Sequence, residues 1–124
     1  MRGLREKTCS EQGGRSVREG EFVLCKGTKE HEVYIILEGA FEVFQDMRRI
    51  ALRTQGDVIG EIAFFTQSGQ RTASVRALTN GRLLVLRRKF LQELTHTDPE
   101  AGYQILMNLS RIIAERLSEM MQAL

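Results

Sequence analysis

Six short apolar runs separated by glycines dominate residues 22–86 and restrict this part of the chain to a β architecture. The runs are residues 22–24, 33–37, 41–44, 50–52, 73–77 and 83–86. Each has the length of a strand, and glycines fall between them as turns or bends. Apolar and polar side chains alternate within residues 41–43 and 73–77, so one face of each strand is expected in a core. The pattern predicts a mainly β fold, a jelly roll or small barrel.

The periodicity becomes helical after residue 88. Three apolar residues predict a short helix there: Phe90, Leu91 and Leu94. Asp98 followed by Pro99 predicts the start of a long helix, because Asp is a preferred N-cap and Pro suits the first helical position. The apolar residues beyond recur at intervals of three and four: Ile105, Leu106, Leu109, Ile113, Leu117, Met120 and Leu124. A helix over residues 99–124 would be about 39 Å long, so we expect part of this amphipathic stripe to contact a partner.

The chain of 124 residues is expected to form one folded domain in three segments. Residues 1–15 are polar, lack apolar periodicity and predict a loose tail. Residues 16–97 predict the jelly roll, and residues 98–124 the C-terminal lid or dimerisation helix. This length is sufficient to bury a single core without cross-links. Cys9 and Cys25 lack the spacing of metal ligands, so we expect reduced thiols, as in a cytoplasmic protein.

Charge and hydropathy narrow the possible functions. The formal net charge is only +2, so direct nucleic-acid binding is not expected. No apolar run reaches membrane length and no secretory leader opens the chain, which favours a cytoplasmic location without a membrane segment. His31 and His96 are far apart and predict no metal site. Neither a metal-dependent enzyme on the same barrel shape nor a nucleotide hydrolase is therefore favoured, and the chain is expected not to be an enzyme.

Residues 56–77 read GDVIGEIAFFTQSGQRTASVRA and carry groups suited to a small cyclic phosphate ester. Gly60 allows close approach of the backbone to an anion. The amides of Glu61, Ile62 and Ala63 are expected to begin a short helical turn, whose unpaired N–H groups favour negative charge. Arg71 supplies a permanent cation with forked donors that suit phosphate oxygens. Glu61 can accept hydrogen bonds from a sugar hydroxyl and can relieve the cost of burying Arg71 in an empty site.

This stretch resembles the phosphate-binding cassette of the cyclic nucleotide-binding domain family. The resemblance covers residues 17 to about 117 and rests on the segments GDVIGEIAFF and RTASVRA. The preceding segment, REGEFVLCKGTKEHEVYIILEGAFEVF, resembles the first hairpins of the family, and the final apolar helix resembles its hinge and lid helix. The resemblance implies a jelly-roll β-barrel with a short helix and a long C-terminal amphipathic helix.

The resemblance also implies roles for the cassette residues. Glu61 matches the acceptor of the ribose 2′-hydroxyl, and Arg71 matches the arginine that binds the cyclic phosphate. Thr72 matches a Ser or Thr that hydrogen-bonds the phosphate or a guanine edge. The implied ligand-binding set is Gly60, Glu61, Ile62, Ala63, Arg71, Thr72 and Ala73.

A sensor of cAMP or cGMP, without a further cofactor or metal, is the function that the resemblance implies. Ligand binding would reposition the C-terminal helix and signal to a partner protein or a fused domain, with a homodimer formed through that helix. The alternative is an interaction or dimerisation module with a degenerate, unoccupied pocket. Met120 and Met121 favour this alternative, since the catabolite activator places polar residues on its lid helix. The sequence leaves the choice between cAMP and cGMP open.

Overall fold

The computed structural model describes residues 13–123 of the chain. The chain divides into two compact units, with the boundary in the sequence between Arg88 and Lys89. The first unit carries the strands and the predicted cassette, and the second carries most of the C-terminal helical region. The prediction placed the boundary later, between residues 97 and 98.

The first unit contains two four-stranded antiparallel sheets among the described residues. Its strands are β1 (Gly13–Val17), β2 (Phe22–Leu24), β3 (Glu32–Glu38), β4 (Phe41–Gln45), β5 (Arg48–Arg53), β6 (Val58–Ile59), β7 (Ser74–Ala77) and β8 (Gly81–Arg87). The strand orders are β1-β8-β3-β6 and β2-β7-β4-β5. A short helix, α1 (Glu61–Phe65), lies between β6 and β7. The mainly β jelly-roll prediction is confirmed, with two separate sheets in place of a strictly closed barrel.

One hydrophobic core draws side chains from both sheets. Its buried members are Val17, Val23, Leu24, Tyr34, Ile36, Phe41, Ile59, Val75, Ala77, Leu83 and Val85. The alternating burial along β8 shows why the sequence folds this way, because every second side chain of a strand faces the same side of its sheet. The two sheets therefore share one core, and the connecting segments are attached to them.

The first strand corrects part of the tail prediction. Residues 13–15, expected to be loose, belong to β1 and pair with residues 83–85 of β8. Sequence reasoning missed this strand because it contains no apolar run, and within it only Val17 has a buried side chain. Residues 1–12 of the predicted tail lie outside the described residues.

Two helices occupy the C-terminal region. They are α2 (Arg88–Thr97) and α3 (Pro99–Gln122). The predicted start of the long helix is confirmed, since the Asp98 carboxylate accepts a hydrogen bond from the backbone N–H of Ala101 at 3.2 Å. With 24 residues, α3 is about 36 Å long. Leu124, the last residue of the predicted stripe, lies outside the described residues.

Candidate functional site

Arg71 is a buried cation in the first unit. Only 2% of its surface is exposed. Its backbone is fixed to the turn between β2 and β3, because its N–H donates to the carbonyl of Thr28 at 2.8 Å and its carbonyl accepts from the N–H of Gly27 at 2.9 Å. Burying a guanidinium is costly unless charge and hydrogen bonds compensate. The contacts of its three nitrogens therefore define the site.

The first of these contacts joins Arg71 to the residue that precedes α1. Nη1 of Arg71 donates to the carbonyl oxygen of Gly60 at 3.1 Å. Gly60 has φ of +85°, and a Cβ on it would lie 2.6 Å from that same Nη1. The position therefore requires glycine both for its backbone conformation and for the space that the guanidinium occupies.

A carboxylate that the sequence analysis did not single out makes the second contact. Nη2 of Arg71 lies 3.2 Å from Oε1 of Glu30, whose side chain is 46% exposed. The sequence predicts that Glu61 relieves the cost of burying Arg71, and the structure shows Glu30 in an ion pair with the same guanidinium. Glu30 precedes β3 and no local motif marks it, so only the fold reveals the pairing. The remaining nitrogen, Nε, is buried and has no hydrogen-bond partner among the described residues.

A buried aromatic ring completes the surroundings of the guanidinium. Cζ of Arg71 lies 5.9 Å from the centroid of the Tyr34 ring, within the range of a cation–π contact. The Tyr34 hydroxyl donates to Glu32 at 2.9 Å. Burial, reinforced by Glu32 and Glu30, raises the pKa of Tyr34 above its ordinary value. Tyr34 is therefore neutral at physiological pH and adds no negative charge that would compete for the guanidinium.

Arg71 lines a pocket with a volume of about 440 Å³. This volume falls within the roughly 300–1,000 Å³ usual for small-molecule sites. The lining residues are Lys26, Gly27, Gln45, Ile62, Thr66, Ser68, Gln70, Arg71 and Thr72. Most of these residues have polar side chains, and Arg71 is the buried cation among them.

Some of the predicted ligand-binding residues line this pocket and others do not. Ile62, Arg71 and Thr72 line it, and Gly60 contacts the guanidinium. Glu61 is half-buried in the first turn of α1, Ala63 is buried, and Ala73 is half-buried just before β7. The pocket lining therefore includes three of the seven predicted residues.

Gln45 and Lys26 are pocket residues that sequence reasoning missed. Nε2 of Gln45 donates to the carbonyl of Thr72 at 2.6 Å. The backbone N–H of Lys26 donates to the Ser74 hydroxyl at 2.9 Å. Both contacts join positions more than twenty residues apart, so no local pattern could have found them.

The described residues support neither a metal site nor a membrane-spanning helix. Within residues 13–123, no group of three or more His, Cys, Asp or Glu side chains is arranged to hold a metal ion. Nor does any helix in that range combine the length and apolar character needed to cross a bilayer.

Comparison with known protein families shows to which family this chain belongs. Residues 14–98 match the model of the cyclic nucleotide-binding domain. The chain belongs to this family. Human cGMP-dependent protein kinase 2 is 27% identical over 101 residues, which cover 82% of this chain and 13% of the kinase. The cGMP-dependent protein kinase egl-4 of Caenorhabditis elegans is 33% identical over 104 residues, with the same two coverages.

A solved cyclic nucleotide-binding domain from Methylobacillus flagellatus shares the fold. It superposes with a TM-score of 0.83 at 24% identity, over 96% of this chain and 70% of that one. The chain spans only about an eighth of the two kinases. The comparisons therefore establish a cyclic nucleotide-binding domain and leave the activity of any larger protein to be inferred.

Proposed function

We propose that this domain is a non-enzymatic sensor that binds cAMP or cGMP, with the cyclic phosphate on Arg71. The observation that carries the proposal is the state of this guanidinium, which is buried, lines the pocket and keeps Nε without a partner among the described residues. An unpaired buried donor is costly, and a phosphate oxygen is a strong acceptor for it. The cyclic phosphate therefore supplies an acceptor for the one guanidinium donor that has none among the described residues.

The remaining cassette residues receive their roles in the same proposal. Glu61 accepts from the ribose 2′-hydroxyl, while Gly60, Ile62 and Ala63 contact ribose and phosphate through the backbone. Their position at the start of α1 supports this assignment, because the first amides of a helix have no intrahelical acceptor. Thr72 and Ala73 follow Arg71 and contact the ligand at the entry to β7. Thr72 is exposed and lines the pocket, which supports a hydrogen bond to the phosphate or to a guanine edge.

The C-terminal helix is proposed to transmit the signal and to form a homodimer. Leu117 and Met120 in α3 are 54% and 67% exposed, and Met121 is exposed beside them. Exposed apolar side chains along one helix favour a second helix as partner. The signal then passes to an effector protein or a fused domain. The cytoplasmic location expected from the sequence is part of this proposal.

One observation favours the alternative of a domain that interacts with partners through an empty pocket. Glu30 already pairs with Nη2 of Arg71. In this alternative the Glu30 carboxylate always takes the place of a ligand phosphate, and the domain interacts with its partners through α3 alone.

Calorimetric titration with cAMP and cGMP separates the two functions. Binding by the parent protein should be at least about tenfold to a hundredfold weaker in Arg71→Ala, since each charged hydrogen bond contributes roughly 1.5–3 kcal/mol. Arg82→Ala is the matched control, because Arg82 forms an ion pair with Glu38 in which both side chains are exposed. Absence of heat and of thermal stabilisation at millimolar nucleotide would favour the empty pocket. Equal binding by parent and Arg71→Ala would reject the assigned site.

Sedimentation tests the homodimer separately. Leu117→Lys together with Met120→Lys should convert a dimer to a monomer, because buried ammonium groups would be unpaired in a helix–helix interface. An unchanged mass would contradict an interface through this part of α3.

A further inference from the structure

Two side chains hold the backbone carbonyls at the end of α1. Nε2 of His31 lies 3.1 Å from the carbonyl oxygen of Thr66 and 3.2 Å from that of Gln67. Nη1 of Arg88 donates to the carbonyl of Thr66 at 3.0 Å and to that of Phe64 at 3.4 Å. Since a carbonyl oxygen only accepts, the His31 contact requires a hydrogen on Nε2. The two donors thus satisfy carbonyls for which the helix end has no partner of its own.

The sheet places these two donors side by side. Glu32 of β3 pairs with Arg87 of β8. One step beyond this pair, the N–H of Arg88 donates to the carbonyl of His31 at 2.9 Å. The donors are therefore anchored to adjacent strands of one sheet, and the segment that they hold is fixed relative to that sheet.

The His31 ring also packs against the same segment. A Cβ on Gly69 would lie 2.6 Å from Nε2 of His31, and Gly69 has φ of +69°. The Gly69 carbonyl accepts from the N–H of Glu30 at 2.8 Å. His31 thus contacts this segment in two ways. Its ring donates to the carbonyls of Thr66 and Gln67, and it also packs against the backbone of Gly69.

This segment, residues 66–70, forms one wall of the pocket and leads directly to Arg71. Thr66, Ser68 and Gln70 belong to the pocket lining. If residues 66–70 were free to move, ordering them on binding would cost conformational entropy. Holding their carbonyls in advance removes that cost from the binding free energy.

We propose that His31 and Arg88 are positioning residues for ligand binding, an inference that rests on the proposed nucleotide site. They fix residues 66–70 in the shape that the ligand requires. Neither belongs to the residues that line the pocket. They affect the affinity indirectly, because they hold backbone carbonyls of the segment that forms the pocket wall.

Titration of His31→Ala and Arg88→Ala with the nucleotide that the parent binds tests this inference. Each variant should bind about fivefold to fiftyfold more weakly, the range expected for loss of one or two hydrogen bonds. His96→Ala and Arg82→Ala are the matched controls and should bind as the parent does. Thermal unfolding is recorded first, so that affinities are compared only between folded proteins.

Two conservative variants distinguish positioning from general support of the fold. His31→Gln keeps an N–H donor and should recover most of the affinity. His31→Phe keeps a ring against Gly69 but has no donor, so it should fold and still bind weakly. Amide hydrogen exchange without ligand should be faster within residues 66–70 of His31→Phe and Arg88→Ala than in the parent.

The outcomes separate this inference from the proposed function. Normal binding by His31→Phe and Arg88→Ala, in a parent that binds nucleotide, would overturn the positioning role and leave the proposed function intact. Unchanged exchange within residues 66–70 would also overturn it. A parent that binds neither cAMP nor cGMP would overturn both.

Discussion

Nη2 of Arg71 and Oε1 of Glu30 lie 3.2 Å apart, and they form an ion pair in which the cation is buried and the anion is half exposed. This asymmetry makes Glu30 replaceable by an anionic ligand, because its carboxylate can return to water at little cost, whereas the guanidinium cannot. In the proposed site, Glu30 would therefore stabilise the guanidinium when no ligand is bound and compete with the phosphate for the same charge.

Replacing Glu30 by Gln should strengthen nucleotide binding and destabilise the empty protein. The neutral amide no longer competes with the phosphate, so we expect an affinity increase of about twofold to tenfold, in the range of an exposed ion pair. Calorimetry measures the affinity, and thermal unfolding without ligand measures the destabilisation. Glu38→Gln is the control, since Glu38 pairs with Arg82 at the surface. Weaker binding by Glu30→Gln would show instead that this carboxylate supports the ligand.

Replacing Gly60 by Ala should displace the Arg71 guanidinium. The new Cβ would lie 2.6 Å from Nη1 and 3.1 Å from the backbone oxygen of Glu32, at φ of +85°. Gly56→Ala is a matched control, because its φ is +88° but nothing lies within 4 Å of the added Cβ. Both variants should lose about 1–2 kcal/mol of unfolding free energy through backbone strain, measured with urea. Only Gly60→Ala should also lose nucleotide affinity, and equal affinities would contradict the steric argument.

Replacing Met47 by Gly should stabilise the hairpin between β4 and β5. Asp46 and Met47 have φ of +48° and +70°, although neither is glycine. Two-residue hairpin turns with positive φ at both positions favour Gly at the second. We expect a gain of about 0.5–1 kcal/mol, read as a higher urea midpoint with an unchanged slope. Met47→Ala keeps the strained backbone and should show no such gain. Since Met47 is 93% exposed, loss of side-chain packing does not complicate the comparison.

Glu42 should make the fold sensitive to acid. Its hydrogen bond from Arg76, at 2.6 Å, and then that from Arg49, at 3.2 Å, hold the pKa of this carboxyl below its ordinary value of 4.5, against the opposing effect of burial. A lowered pKa in the folded state stabilises the protein above the unfolded value, and this contribution is lost as the pH falls through the folded value.

Urea unfolding at a series of pH values checks this expectation. Stability should decrease as the pH is lowered from above 4.5, and the decrease should be smaller in Glu42→Gln. Glu38→Gln, which removes an exposed carboxylate, should follow the parent. Identical pH profiles for the parent and Glu42→Gln would contradict a role for Glu42 in acid sensitivity.

The sequence by itself determined most of the strands, the short helix after Gly60 and the start of the long helix. Each of these depends on interactions between residues near in sequence: alternation within a strand, glycine at a positive φ, and Asp98 with Pro99 at a helix start. That is why the short helix after Gly60 and the buried position of Arg71 agree with the expectations. Strand β1 escaped detection because only its last residue, Val17, is buried, so its sequence shows no apolar run.

Only the tertiary structure decided which groups meet Arg71 and what holds the segment leading to it. Glu30 is 41 residues from Arg71 in sequence, and His31 reaches carbonyls 35 and 36 residues away. Such contacts depend on how the strands pair, and a charged or imidazole side chain in a turn carries no local sign of its distant partner. Local patterns therefore predict the cassette, whereas the ion pair of Arg71 and the contacts that hold residues 66–70 arise from long-range packing.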